Sequence, residues 1–324
     1  MSFKVILYDD LPEDLEQRLR ENCDVTRTHS LDPMQSDEFR SVLAETEGLI
    51  GVGQEVGPQL LSLAPKLRVA STISVGYDHF DVAELTKRKI MLMHTPEVLN
   101  ETTADMIFTL ILCAARRAAE LNGMVKSGGW TSIVGPEHFG SDVHGKKLGI
   151  IGLGRIGSAV ARRAYNGFNM EILYHNRKAS KEAETAFNAR FCSLDEILSE
   201  SDFVCLVLPL SDQTRKLIST AEFDKMKPGA FLINGGRGPV VDEKALVEAL
   251  QKGKIRGAGL DVYEQEPLPA DSPLLNLSNV VTLPHIGSAT HETRYAMAAC
   301  ALDNLLGALR NQTTRNCVNP EVVN

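Results

Sequence analysis

The chain has 324 residues, of which 43% are hydrophobic and 23% charged, and this length is enough for two domains of ordinary size. A net charge of −8 at pH 7 argues against a general nucleic-acid-binding protein, although it leaves room for a local basic pocket. The six cysteines form no CxxC pair and the histidines lack ligand spacing, so we predict reduced structural thiols and no metal site.

The amino-terminal segment MSFKVILYDD enters an apolar strand directly, without the charged region, apolar core and cleavage site of a secretory signal. The longest apolar run, MIFTLILCAA, is too short to cross a bilayer. We therefore expect a soluble, cytoplasmic protein with no membrane partner.

The first hundred residues alternate apolar and polar segments. KVILY, GLIGVG, RVASTIS and IMLMHT are predicted strands, and EDLEQRLREN is a predicted helix, which indicates a parallel α/β sheet. From about residue 100, one long helix is predicted through ETTADMIFTLILCAARRAAELNGMVK. Its centre is apolar all round, so we expect it to be buried between domains or subunits.

A second α/β series begins at KKLGII and continues through strands at EILY, FVCLVL, AFLIN, GAGLDV and NVVTL. Strands in this rhythm predict a doubly wound, Rossmann-type dinucleotide domain over residues 100–290. The last helix, at about 291–310, has no sheet of its own. We expect it to return to the first domain, which would then be discontinuous and comprise residues 1–99 and 291–324.

Three glycines, Gly152, Gly154 and Gly157, follow the strand KKLGII and open the helix SAVARRA. In a dinucleotide turn the first glycine permits the bend, the second lets the backbone approach the pyrophosphate, and the third packs helix against strand. The helix amino terminus then faces the anion. This context favours a cofactor turn over an ordinary structural turn.

A basic cluster, Asn176, Arg177 and Lys178, stands about twenty residues later, where many dinucleotide-binding proteins place an acid. An acid would accept hydrogen bonds from the adenosine ribose and repel a 2′-phosphate, whereas these residues offer donors and positive charge. The cluster favours NADP(H), with NAD(H) still possible. The alternative is a solvated basic turn.

Three further segments follow strands of the second series, at the edge where a doubly wound sheet binds its ligands. They carry Arg237, then Asp261 and Glu266, then His285. Arginine can bind a carboxylate through paired hydrogen bonds, histidine can donate a proton near neutral pH, and a carboxylate can fix the histidine tautomer. Their shared position at strand ends predicts an active site.

The motifs GLGRIG, NGGRGPVVDE, GLDVYEQEP and PHIGSAT resemble those of the D-isomer-specific 2-hydroxyacid dehydrogenases, over nearly the whole chain. MHTPEVL, VDEKALVEALQ, PHIGSATHETR and NCVNP resemble the members that reduce glyoxylate, hydroxypyruvate and 2-ketogluconate. The resemblance implies a Rossmann cofactor domain with a flavodoxin-like substrate domain. It also implies reduction of small 2-keto acids to D-2-hydroxy acids, for which the basic cluster favours NADPH.

The resemblance further implies roles for matching residues. Arg237 would bind the substrate, His285 would be the general acid, Glu266 would be its partner, and the backbone at Val75 and Gly76 would meet the substrate carboxylate. Besides the cofactor residues already predicted (Gly152, Gly154, Gly157, Asn176, Arg177 and Lys178), the resemblance implies cofactor contacts for Thr103, Arg155, Ile156, Pro209, Thr214, Asp261, Gly287 and Ser288.

One departure concerns Ile133, which stands about where some hydroxypyruvate reductases place a tryptophan. Substrate preference therefore stays open among the three keto acids. Two alternative functions also stay open: an enzyme like 3-phosphoglycerate dehydrogenase, and a dinucleotide-sensing regulator or corepressor on the same scaffold. The apolar helix at 106–115 and the GGWTSIVG loop predict a homodimer.

Overall fold

The computed structural model describes residues 2–32, 36–312 and 315–323. They form two compact units, one of Met1–Leu99 with Ala289–Asn324 and the other of Asn100–Ser288. No helix in the described part of the chain combines the length and the apolar character needed to cross a membrane.

The strands, in chain order, are β1 (Phe3–Leu7), β2 (Cys23–Arg27), β3 (Gly48–Gly51), β4 (Val69–Thr72), β5 (Met91–Met93), β6 (Lys147–Ile151), β7 (Glu171–His175), β8 (Arg190–Phe191), β9 (Phe203–Leu206), β10 (Phe231–Asn234), β11 (Gly257–Leu260) and β12 (Val280–Thr282). The α-helices are α1 (Glu13–Asn22), α2 (Asp37–Glu45), α3 (Pro58–Ser62), α4 (Val82–Lys87), α5 (Asn100–Arg116), α6 (Ala118–Lys126), α7 (Arg155–Phe168), α8 (Lys181–Phe187), α9 (Leu194–Glu200), α10 (Thr220–Phe223), α11 (Glu243–Gln251) and α12 (His291–Leu309). Short 3-10 helices lie at Pro136–His138, Gly238–Val240, Pro273–Asn276 and Pro320–Val323.

The first unit is built on a five-stranded parallel sheet with the order β2-β1-β3-β4-β5, which is the flavodoxin-like order. The sheet is apolar in its middle, where β3 and β4 are buried throughout. Edge strand β2 was missing from the predicted elements. Its sequence, CDVTR, is mostly exposed and therefore has no continuous apolar run.

Helix α12 belongs to the first unit, and most residues of its second half are buried, including Leu302 and Leu305. The residues after it continue beside β5, where Cys317 forms an antiparallel bridge with Met93. The Asn319 side chain accepts from the Leu92 N–H and donates to the Ile90 carbonyl. The carboxyl-terminal segment thus extends the edge of the first sheet.

The second unit contains a seven-stranded parallel sheet with the order β12-β11-β10-β9-β6-β7-β8. Counted from β6, its first six strands follow the doubly wound Rossmann order, which confirms the predicted fold class. The order reverses between β6 and β9, so the crevice at the carboxyl edge is the expected ligand position. Strand β8 is the third of these six; it is two exposed residues long and carries no pattern that could predict it, whereas β12 is the additional strand.

The single long helix predicted from residue 100 to Lys126 was wrong. The backbone of Arg117 takes a left-handed conformation (φ 54°) and divides the segment into α5 and α6. The predicted burial holds for α5, where residues such as Ile107 and Ile111 are inaccessible, but α6 buries none of its residues. The apolar pattern ends near Ala115, so nothing in the core of the unit draws the following residues into line with α5.

Candidate active site

The glycine-rich turn follows β6 and has little space for side chains. Gly152 has a φ of 98°, and a Cβ atom there would lie 2.5 Å from the carbonyl oxygen of Val207. A Cβ atom on Gly157 would lie 2.5 Å from the carbonyl oxygen of Gly152. A Cβ atom on Gly154 would meet no neighbour, as a position that faces a ligand requires. The structure of the chain therefore requires glycine at positions 152 and 157, whereas the reason for Gly154 depends on the predicted pyrophosphate.

Helix α7 begins directly at this turn. Its first hydrogen bond joins the Ser158 N–H to the Gly154 carbonyl, at 2.8 Å, so the N–H groups of Ile156 and Gly157 precede the helical ladder. No side chain caps this helix terminus in the described structure. Exposed Gly154 and Arg155 stand at its entrance. An uncapped helix start of this kind binds phosphate, so these residues fit a dinucleotide pyrophosphate.

Asn176 braces the turn. Its Oδ1 accepts from the Leu153 N–H at 2.7 Å, and its Nδ2 donates to the Leu153 carbonyl at 3.0 Å. Arg177 and Lys178 are exposed, and neither forms an ion pair with any residue that the structure describes. The predicted cluster thus divides into one residue that shapes the turn and two exposed cations beside it. Sequence reasoning had treated all three as phosphate donors.

His285 and Glu266 form a close pair at the carboxyl edge of the same sheet. His285 Nδ1 lies 2.6 Å from Glu266 Oε2, and the Tyr263 N–H donates to Glu266 Oε1 at 3.0 Å. Burial acts to raise the pKa of Glu266. The hydrogen bonds from His285 and Tyr263, together with the charges of His285 and Arg237, outweigh it and lower this pKa below its ordinary value. Glu266 is therefore an acceptor at neutral pH, and the Nδ1 of His285 carries the proton between them.

Asp261 sets the position of His285. It is 1% exposed, and its two oxygens accept from the N–H groups of Ile286 (2.8 Å) and Gly287 (2.9 Å). Burial raises the pKa of Asp261, although these bonds oppose the shift. His285 itself has a φ of 53°, a conformation that needs such support from its surroundings. Within this chain the Asp261 carboxylate holds the loop after His285, and its contact with the nicotinamide stays a prediction.

Arg237 lies in the loop that follows β10. Asn234 folds this loop, since its Nδ2 donates to the Arg237 carbonyl at 3.1 Å and its Oδ1 accepts from the Gly236 N–H at 3.1 Å. A Cβ atom on Gly238 would overlap the carbonyl of Tyr263, so the loop packs directly on the segment that leads to Glu266. Arg237 and Glu266 are near enough for the arginine charge to lower the carboxyl pKa. The Arg, Glu and His predicted from separate motifs therefore belong to one site.

Asn234 is the residue that sequence reasoning missed. It is 1% exposed and stands at the end of a buried strand, immediately before two glycines. A buried amide in that position commonly closes a turn through its own backbone neighbours. The INGG pattern was therefore the available signal.

The remaining predicted cofactor residues occupy two places. Thr103, in α5, is buried, and a Cβ atom on Gly287 would lie 3.3 Å from its Cγ2, so Thr103, Gly287 and the neighbouring Ser288 share one region. Pro209 and Thr214 lie in the loop after β9, where the Thr214 hydroxyl donates to the Pro209 carbonyl at 2.8 Å. Both places belong to the cofactor unit.

Val75 and Gly76 belong to the first unit and follow β4. Among the described residues, neither of their backbone N–H groups has a hydrogen-bond acceptor. Open N–H groups on adjacent residues are suited to an anion such as a carboxylate.

The family model for the D-isomer specific 2-hydroxyacid dehydrogenase NAD binding domain matches residues 108–287. The chain is 59% identical over 322 residues to glyoxylate/hydroxypyruvate reductase B of Escherichia coli O9:H4 (strain HS), covering 99% of each chain. These similarities confirm the resemblance seen in the sequence.

Two solved structures share the whole architecture. An NADPH-dependent glyoxylate/hydroxypyruvate reductase from Sinorhizobium meliloti, solved with NADP and malonate, superposes with a TM-score of 0.89 at 30% identity and covers 99% of this chain and 98% of its own. A protein from Thermus thermophilus gives a TM-score of 0.87 at 39% identity, with 98% of this chain and all of its own covered.

Proposed function

Because the chain belongs to the D-isomer-specific 2-hydroxyacid dehydrogenase family and is thus an NAD(P)-dependent oxidoreductase, we propose that it reduces small 2-keto acids to D-2-hydroxy acids. The observation that carries this proposal is the 2.6 Å contact between His285 Nδ1 and Glu266 Oε2. The charge of Arg237 lowers the pKa of the same Glu266 carboxyl. A proton donor fixed beside a carboxylate-binding cation is the arrangement that carbonyl reduction requires. The names of the relatives above agree with this activity.

The residues of the chain divide the chemistry among them. Bound nicotinamide supplies the hydride for the carbonyl carbon. Arg237 would hold the substrate carboxylate and stabilise the negative charge that develops on the carbonyl oxygen. His285 would then protonate that oxygen. Its Nδ1 faces Glu266, so Nε2 is the nitrogen available to the substrate, and Glu266 balances the charge of the protonated ring.

NADP(H) is the cofactor that the basic turn favours. Arg177 and Lys178 are exposed and unpaired within the described residues, so both cations are available for a 2′-phosphate. Asn176 holds the turn in place and contributes at most its second amide hydrogen. The Sinorhizobium meliloti relative, which is NADPH-dependent, is consistent with this preference.

The substrate would be read mainly by its carboxylate and adjacent carbonyl. Open N–H groups at Val75 and Gly76 would meet the carboxylate, in addition to Arg237. Glyoxylate, hydroxypyruvate and 2-ketogluconate all carry this unit. We propose the first two as the better substrates, since the relatives named above act on them.

A steady-state panel tests the proposal. Glyoxylate, hydroxypyruvate, 2-ketogluconate and 3-phosphohydroxypyruvate would each be measured with NADPH and with NADH. We expect the highest kcat/KM for glyoxylate or hydroxypyruvate with NADPH. Preference for the phosphorylated keto acid would instead favour the phosphoglycerate dehydrogenase alternative. Cofactor binding without turnover of any keto acid would favour a regulator.

A homodimer is the assembly that we propose. Helix α6 buries none of its residues, and the segment after it exposes large apolar side chains, with Trp130 62%, Ile133 95% and Phe139 57% accessible. Apolar groups concentrated in one segment indicate a surface that is covered in the assembled protein. Light scattering at micromolar concentration should give the mass of two chains, and Ile133→Asp should lower it toward one. A monomeric wild-type protein would contradict the proposal.

A further inference from the structure

We propose that His94 is a positioning residue for the substrate, because it fixes residues 74–77, here called the carboxylate loop, in the conformation that opens the Val75 and Gly76 N–H groups. This inference rests on the proposed function, since it takes those two N–H groups as the contact for the keto-acid carboxylate. His94 itself would touch the loop and not the substrate.

Two consecutive residues after β5 hold two consecutive residues of the loop. His94 Nδ1 lies 3.0 Å from the Val75 carbonyl oxygen, and the Thr95 N–H donates to the Ser74 carbonyl at 2.9 Å. A carbonyl oxygen can only accept, so the Nδ1 of His94 must carry the proton. The Ser74 hydroxyl donates to the Gly76 carbonyl at 2.5 Å.

These bonds give the loop two different sides. The carbonyls of Ser74, Val75 and Gly76 are all occupied by donors from the protein. In contrast, the Val75 and Gly76 N–H groups have no acceptor among the described residues. A peptide group whose carbonyl is held on one side presents its N–H to the other, so the loop offers two adjacent open N–H groups that are suited to an anion. Among these bonds, the one from His94 is made by a side chain that lies 19 residues away in the sequence.

His94 is itself immobilised. Its N–H donates to the Asn316 carbonyl at 3.1 Å, and its carbonyl accepts from Asn304 Nδ2 at 2.8 Å. Asn316 Nδ2 in turn donates to Asn304 Oδ1 at 2.9 Å. The imidazole packs edge-on against the Tyr77 ring, with 5.7 Å between the ring centroids. A side chain fixed at its backbone and at its ring has little entropy left to lose when it holds the loop.

The test compares His94→Leu with His94→Asn. Leucine keeps apolar bulk but removes the donor, whereas the asparagine Nδ2 can stand about where the imidazole Nδ1 was. His144→Leu, at an exposed histidine of the other unit, is the matched control. For each protein we would measure kcat, the KM of glyoxylate and of NADPH, and the Kd of oxamate, a non-reacting keto-acid analogue, in the presence of NADP.

We expect His94→Leu to raise the glyoxylate KM and the oxamate Kd by roughly 3- to 10-fold, which is the effect of one neutral hydrogen bond. The NADPH KM and kcat should stay within about twofold, and His94→Asn should recover most of the affinity. An unchanged oxamate Kd in His94→Leu, or equal losses in both variants, would overturn the inference.

The oxamate measurement separates this inference from the proposed function. If the wild type turns over no keto acid but binds oxamate, and His94→Leu weakens that binding, the activity assignment fails while the positioning role stands. If the wild type binds no oxamate at all, the carboxylate site and the role of His94 fail together.

Discussion

The glycine-rich turn of the cofactor unit and the carboxylate loop of the other unit both present open backbone N–H groups, but they are built differently. Each follows a parallel strand and leaves backbone N–H groups open. Each is braced by a polar side chain at the end of the neighbouring strand. Asn176 bonds to Leu153 in the turn, and His94 bonds to Val75 in the loop.

They differ in whether a helix follows directly after the open N–H groups. The turn leads directly into α7, a helix of fourteen residues, whereas α4 begins only at Val82, several residues after the carboxylate loop. A helix dipole adds attraction for a multiply charged pyrophosphate, whereas a single carboxylate needs fewer hydrogen-bond donors. We therefore expect the charge of the predicted ligand to be the reason for this difference.

The largest effect is expected from loss of the proton donor, which belongs neither to the glycine-rich turn nor to the carboxylate loop. His285→Ala removes the proton donor but touches neither the turn nor the loop. We expect kcat to fall about 100- to 10,000-fold, with the NADPH Kd nearly unchanged. Stopped-flow turnover and a fluorescence titration of NADPH would measure the two quantities. Near-normal turnover would contradict the assignment of His285 as general acid.

The next effect tests how the turn reads its cofactor. Arg177→Ala should raise the NADPH KM by roughly 10- to 100-fold, since it removes charged hydrogen bonds to the 2′-phosphate. NADH lacks that phosphate and serves as the internal control. Lys178→Ala should have a smaller effect, because an ammonium acts as a point charge whereas the guanidinium can grip two oxygens. Equal losses for both cofactors would favour the solvated-turn interpretation.

Variants of Asn176 show whether the support of the glycine-rich turn affects cofactor binding alone, as the His94 variants are expected to affect substrate binding alone. Asn176→Ala removes both bonds to Leu153, so the KM values for NADPH and NADH should rise together, roughly 3- to 10-fold. Asn176→Asp keeps the acceptor but places a carboxylate near the phosphate, so NADPH should lose more than NADH. The glyoxylate KM should not change in either variant, in contrast with the His94 variants. A change in the glyoxylate KM alone would show that the two regions are not independent.

The smallest effect concerns acid stability. The pKa of Glu266 is lowered in the folded protein, so its contribution to stability is present above the ordinary carboxyl pKa and is lost as the pH falls through the lowered one. Glu266→Gln has no such group, so its Tm should decrease less when the pH is lowered from about 6 to about 3, a range that extends well below the ordinary carboxyl pKa. The difference should be on the order of 1 °C, because the pair is partly exposed. Scanning calorimetry would measure it, and parallel Tm curves would argue against a charged pair.

Much of the fold could be predicted because local sequence carries it. The segment EDLEQRLREN forms α1 over the same residues, since its apolar positions recur at helical spacing. The parallel strands β3 and β9 appear as short apolar runs because both of their faces are buried. Strands β2 and β8 could not be found, because most of their residues are exposed and their sequences carry no continuous apolar run.

The sequence by itself determined the residue types of the site. Gly152 must accept a positive φ and Gly157 a close backbone contact, so each restricts its position to one amino acid, and the Arg, Glu and His motifs specify their chemistry locally. The tertiary structure decided which groups meet. Asn176 reaches the turn because β7 lies beside β6, and His94 reaches the carboxylate loop because β5 lies beside β4. Those pairings depend on strand order, which no local pattern encodes, because parallel neighbours are separated by a whole crossover of the chain.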